Sequence, residues 1–228
     1  MKRRAGIPIV VSLLAAWLSL TAAGAAPIDL LEALDRGLVT AEFRGAGDTG
    51  VRGTIVRQTP QPLQVVVNPG TVFRAQFGFP GGGAYPGGGG YRGGGGVVQG
   101  ISTFQSTPAD LTTYRIAQVF VPGGCANYGL RAPTPHDVMV ALPPPNRTMA
   151  RLAQVIGAQE LDQQKAQVAL WAVANNVPQW AARRYVSRRM PPGTSKDAIS
   201  ARTEHVLAAA EGMVKKAGLD PKKYRTFR

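Results

Sequence analysis

The sequence predicts an α+β fold: an N-terminal antiparallel β-sandwich with a disordered Gly-rich loop, packed against a C-terminal helical region. Three observations predict it. Short β-type runs separated by Gly, Pro and Asn turn signals occupy residues 39–121. A tract reading PGGGAYPGGGGYRGGGG, with 11 glycines in 17 positions from Pro80 to Gly96, interrupts those runs. Beyond a connector rich in proline (Pro133, Pro135 and Pro143-Pro144-Pro145) the apolar spacing changes from the strand period to the helix period.

The elements follow in chain order. Residues 1–25 have the grammar of a signal peptide: Lys2-Arg3-Arg4, an apolar run of 14 residues from Ile7 to Leu20, then small residues with a cut expected after Ala25. That run is shorter than the ~20 residues a membrane-spanning helix needs, so the mature chain is expected without a transmembrane segment. Ile28 to Leu38 reads as a short amphipathic helix capped by Asp29 and ended by Gly37. Strands are expected over Val39–Arg44, Val51–Gln58, Leu63–Val67, Val72–Phe77, Val97–Phe104 and Leu111–Val121. Asn68-Pro69-Gly70 places Pro and Gly where a type II turn wants them and predicts a tight reversal between two strands. The glycine tract has no apolar pattern to offset the entropy of ordering, so residues 78–97 are expected to be a disordered loop, an expanded hairpin tip.

The helical half begins near Thr148 and pauses at Gly157. A second helix opens at Asp162, with Ala166, Leu170, Val173 and Val177 on one stripe, until Pro178 interrupts it. Trp180 to Arg189 forms a short basic helix, and a last helix runs from a Thr194/Asp197 capping box to Gly218. The domain reading is therefore residues 1–25 signal peptide, 26–142 β-sandwich, 143–190 helical region packed on the sandwich, and 191–228 basic helix and tail.

Charge is divided unevenly. Residues 27–146 hold 8 basic and 7 acidic side chains, net +1, and residues 147–228 hold 15 and 6, net +9. Arg183-Arg184, Arg188-Arg189, Lys215-Lys216 and Lys222-Lys223 are candidate contacts for a polyanion, with an anionic envelope polymer or a surface protein as partner. Export and the lack of any nucleic-acid-binding motif argue against a specific nucleic-acid partner. One cysteine and two histidines 69 positions apart exclude an intramolecular disulfide and a multi-Cys zinc site, so neither metal nor cofactor is expected.

The residues with chemistry in them are Cys125, Gln167 and Trp171. A lone thiol in an oxidising compartment is buried, oxidised, paired between chains or used covalently, and here it follows an apolar strand and Gly123-Gly124. Gln167 and Trp171 stand one helical turn apart, beside the apolar stripe. A strand-end Cys followed by a helix carrying Gln167-Val168-Ala169-Leu170-Trp171 resembles the Cys and Gln segments of bacterial surface thioester domains. That resemblance implies a covalent adhesin, with the sulfur from Cys125 and the acyl carbon from Gln167. A broader stretch, Cys125-Ala126-Asn127-Tyr128-Gly129-Leu130-Arg131 with Gln167 to Val177 and Trp180, is similar to uncharacterised secreted bacterial proteins. It implies a β-sandwich before a small helical region and no particular activity. The structural alternative is that Gln167 hydrogen-bonds the loop after Cys125 while Trp171 fills the joint between sheet and helices.

Other chemistry is thinly marked. His136 and His205 belong to no triad pattern, so no catalytic residue is assigned, and the glycine tract lacks the Lys-Ser/Thr of a phosphate loop. The expected function is an exported non-enzymatic binding or structural module, secreted or held in the periplasm or cell envelope, with the thioester adhesin and the polyanion-binding envelope protein as alternatives.

Overall fold

A computed structural model describes residues 26–76, 100–159 and 162–228. The leader at 1–25 and the whole of the glycine tract expected at 78–97 lie outside the described residues. The chain forms β1 (Ile28–Asp29), α1 (Leu30–Asp35), β2 (Val39–Gly45), β3 (Gly50–Arg57), β4 (Leu63–Val67), β5 (Val72–Ala75), β6 (Ile101–Thr103), β7 (Thr107–Leu111), β8 (Ile116–Cys125) and β9 (Val138–Leu142). Four helices follow: α2 (Arg147–Gly157), α3 (Gln163–Asn175), α4 (Gln179–Ser187) and α5 (Lys196–Lys216), then two 3-10 turns at Pro221–Lys223 and Arg225–Phe227.

The α+β content stands, but the sandwich does not. Six strands close into an antiparallel barrel in the order β2-β3-β8-β6-β5-β9, and β1, β4 and β7 form a separate mixed three-stranded sheet. The closing strand is β9, which the sequence reading left inside the proline connector. Its Met139 pairs with Phe43 of β2 and its Val140 with Arg74 of β5, so it satisfies the open edges of both strands at once. Alternation of apolar and polar residues is the same in a strand of a barrel and of a sandwich, and only the long-range pairing separates them.

Two local expectations change for related reasons. The run expected from Leu111 to Val121 is two strands in different sheets, broken where Asp110 Oδ1 accepts from the Thr112 amide at 2.9 Å. The second of them, β8, continues past Val121 through Pro122-Gly123-Gly124 to Cys125. The Asn68-Pro69-Gly70 turn forms, with Gly70 at φ +90° and the Thr71 amide donating to Asn68 O at 3.2 Å. It joins β4 and β5, which lie in different sheets, and so makes a corner rather than a hairpin.

Capping explains the helix starts. Asn146 Oδ1 accepts from the Met149 amide at 2.9 Å at the head of α2, and Asp162 Oδ1 accepts from the amides of Gln164 and Lys165 at 3.0 and 3.3 Å at the head of α3. At α5 the cap is Ser195, which takes the Ala198 amide, while the Thr194 hydroxyl donates to Pro191 O; the expected Thr194/Asp197 box does not form. The single stripe expected on α3 is also replaced: all seven residues from Ala166 to Ala172 are buried. The middle of the helix runs between β8, α2 and α5, and a stretch covered on every side has no solvent face to keep polar. One cluster of buried apolar side chains runs from Leu30 and Phe43 through the barrel to Leu170, Val206 and Ala217, so barrel and helices share a core.

Candidate functional site

The seam between β8 and α3 brings the sequence-selected residues together. Cys125 ends β8, pairs with Ile101 of β6, and is 2 % exposed. Gln167, which has no exposed surface, donates through Nε2 to Cys125 O at 2.7 Å and accepts at Oε1 from the Cys125 amide at 2.9 Å. The carboxamide thus pairs with both main-chain groups of the last strand residue, as a neighbouring strand would. Gly124 makes the approach possible: a Cβ there would stand 2.5 Å from the Phe104 ring and 2.9 Å from Gln167 Oε1.

A second glutamine, which the sequence reading passed over, extends the contact. Gln163 Nε2 donates to Gly123 O at 3.0 Å and to Asp48 O at 2.9 Å. Gln163, Gln167 and Trp171 recur every four residues, so they lie on one face of α3 and follow the end of β8 along the seam. That spacing was the signal available in the sequence.

Trp171 sits between two tyrosines, with ring centroids 5.0 Å from Tyr128 and 4.8 Å from Tyr185, both edge to face. Arg189 lies over the Tyr185 ring at 4.0 Å and pairs with Asp48, which ties α4 to the β2–β3 turn. Among the described residues, Trp171 Nε1 and the Tyr185 hydroxyl are buried without a hydrogen-bond partner. Burial pushes the Tyr185 phenol up, with the nearby Cys125 and Asp162 adding to the shift.

The thiol itself is held protonated. Burial pushes Cys125 up to about 12, with its own main-chain hydrogen bond a smaller opposing effect. His136 and His205 are both exposed on other parts of the surface, and no group of three His, Cys, Asp or Glu residues stands together among the described residues. Neither histidine therefore stands beside the thiol as a base that could raise its nucleophilicity.

The basic residues divide into two groups. Arg183 pairs with Glu204 at 2.7 Å, Lys215 with Glu211 at 2.8 Å, and Arg189 is engaged as described. Arg184, Arg188, Lys216, Lys222 and Lys223 are exposed and make no ion pair among the described residues. They lie on α4 and just after it, at the end of α5 and on the turn that follows α5.

No described helix is long and apolar enough to cross a membrane. Compared with protein-family models, curated proteins and solved structures, the chain matches none.

Proposed function

We propose that the protein is an exported non-enzymatic binding or structural module whose helical region is fastened to the β-barrel by Gln167. The observation that carries this reading is the use of the Gln167 carboxamide: both of its polar ends are taken by the Cys125 main chain beside a thiol pushed up to about 12. A carboxamide in that role stabilises a joint between layers, and a thiol in that state is a small apolar filler. Export is supported by the leader grammar of residues 1–25.

Intact mass and alkylation of protein expressed with its leader test the reading. It predicts a mature mass equal to the translated one and a thiol that labels only when the chain is unfolded. A deficit of one ammonia, with methylamine then added at Gln167, would establish instead the covalent adhesin that the thioester resemblance implies.

One observation favours a second reading, adsorption to an anionic envelope polymer: the exposed, unpaired group of Arg184, Arg188, Lys216, Lys222 and Lys223 in the half of the chain that carries net +9. Retention on heparin should then weaken steeply with salt and drop when Arg184 and Arg188 are neutralised. Unchanged retention in that variant refutes it.

A further inference from the structure

A cleft of about 680 Å³ opens between the outer face of the barrel and the helices, within the range of small-ligand sites. Its floor is built by the barrel register. Leu142 of β9 pairs with Val72 of β5, and Val72 pairs with Ser102 of β6, so these three side chains stand in one row on the same face. Arg74, two residues along β5 from Val72, projects from the same side. The far wall is the start of α2, the last turn of α3 and Tyr224.

Several polar groups of the cleft can donate a hydrogen bond. Ser102 is 1 % exposed, and its hydroxyl has no hydrogen-bond partner among the described residues. A buried hydroxyl left unpaired is unfavourable, and a ligand group that accepts or donates there would satisfy it. The Asn146 cap satisfies the Met149 amide, and the amides of Arg147 and Thr148 at the start of α2 have no acceptor within the helix. Asn127 and Asn175 use their carbonyl oxygens on the amides of Gly100 and Tyr128, at 3.4 and 2.9 Å, which leaves their NH₂ groups as donors. Arg74 is exposed and makes no ion pair among the described residues. Among the described residues, no Asp or Glu lines the cleft.

We propose that this cleft binds the carboxylate of a small monoanionic ligand with an apolar body, the carboxylate meeting Arg74, the Ser102 hydroxyl and the first turn of α2. The charge count selects a carboxylate over a phosphate: one guanidinium matches one carboxylate in a two-pronged pair, and a dianion would be left half compensated. The apolar part is matched by Val72, Leu142 and Met149 on the lining. The start of α2, where Asn146 and Thr148 line the cleft, adds positive potential to it. The concavity of about 1050 Å³ over β2, β3 and β8 is of mixed charge, since Glu42 stands in it beside Arg44 and Arg52. The inference rests on the reading of the chain as a binding module and adds to it a site and a ligand class.

The test uses the mature chain and three probes followed by backbone amide NMR: hexanoate, N-acetylleucine and N-acetylleucinamide. Both carboxylates should shift the amides of Ser102 and Thr148 in a saturable way, and the neutral amide should not. A stronger response to N-acetylleucine than to hexanoate identifies a peptide-type carboxylate, and the reverse order a simple fatty acid. Arg74→Gln, an exposed change, should weaken binding by about tenfold or more. Ser102→Ala should weaken it as well while leaving the melting temperature unchanged or higher, because the hydroxyl it removes has no partner in the unliganded fold. Equal response to the neutral amide, no saturable response to either carboxylate, or full binding by both variants would overturn the site. None of these results bears on the thiol mass test or on heparin retention, so failure of the cleft and failure of the wider reading remain distinct.

Discussion

Replacing Gln167 by Leu keeps the approximate shape and burial of the side chain but deletes both hydrogen bonds that it makes to the Cys125 main chain. The Cys125 amide and carbonyl then remain buried and unpaired, at about 1–3 kcal/mol each. Burying a Leu in place of a carboxamide returns part of this, so a net loss of about 2–4 kcal/mol is expected. With a urea slope of about 2–3 kcal/mol/M for a chain of this size, the unfolding midpoint should fall by roughly 1 M. Gln167→Glu sharpens the test. The protonated carboxyl can donate to Cys125 O and accept from the Cys125 amide, whereas the ionised one cannot donate and faces a carbonyl oxygen in a buried seam. Its pKa in the folded chain is therefore raised above the unfolded value near 4.3. Stability close to wild type is present below that unfolded value and is lost as pH rises through the folded one. A midpoint change below about 0.3 M for the Leu variant, or a Glu variant whose deficit is the same at every pH, would refute the role assigned to Gln167.

Iodoacetamide should modify Cys125 in the native chain far more slowly at pH 8 than in urea, since burial pushes the thiol up to about 12 and little thiolate exists; equal rates would contradict the buried seam. Asp137 is held well below the usual carboxylate range, chiefly by its hydrogen bond to Arg131 and also by the Thr134 amide and hydroxyl. Its contribution is present above the unfolded carboxylate value and is lost as pH falls through the lower folded one, so Asp137→Asn should lower the melting temperature at pH 6 and narrow the gap to wild type near pH 2. A gap that does not change with pH would show that the carboxylate is not the group at work. Gly157→Ala would put a Cβ 1.9 Å from Phe104 O, a main-chain atom that cannot turn aside, and should destabilise by at least about 2 kcal/mol in urea unfolding.

The candidate joint was legible in part. A Gln and a Trp one turn apart on a mostly apolar helix, with a Cys at the end of an apolar strand, are marks a sequence carries in plain form, because their spacing is local. Gln163 carried the same mark one turn earlier and was missed, since three Gln and Lys residues in a row look like an exposed helix start. Arg189 reads as half of a basic pair, yet it stacks on Tyr185 and pairs with Asp48, 141 positions away in sequence, and nothing nearby reveals that. The cleft was not legible at all. Ser102 and Val72, Leu142 and Thr148 come from four separate segments, and Ser102 is an ordinary strand residue until the barrel register places it beside the head of α2.

Local chemistry alone determined the helix caps at Asp29 and Asp162, the turn at Asn68-Pro69-Gly70 and the change from strand to helix spacing beyond the prolines, because each depends on atoms a few residues apart. Barrel closure by β9, the corner that sends β4 and β5 into different sheets, and the burial of the middle of α3 on every side were decided only in the tertiary structure. An edge strand can satisfy its main-chain groups against any partner of matching length, and the choice among partners is made by the shared core rather than by the strand itself.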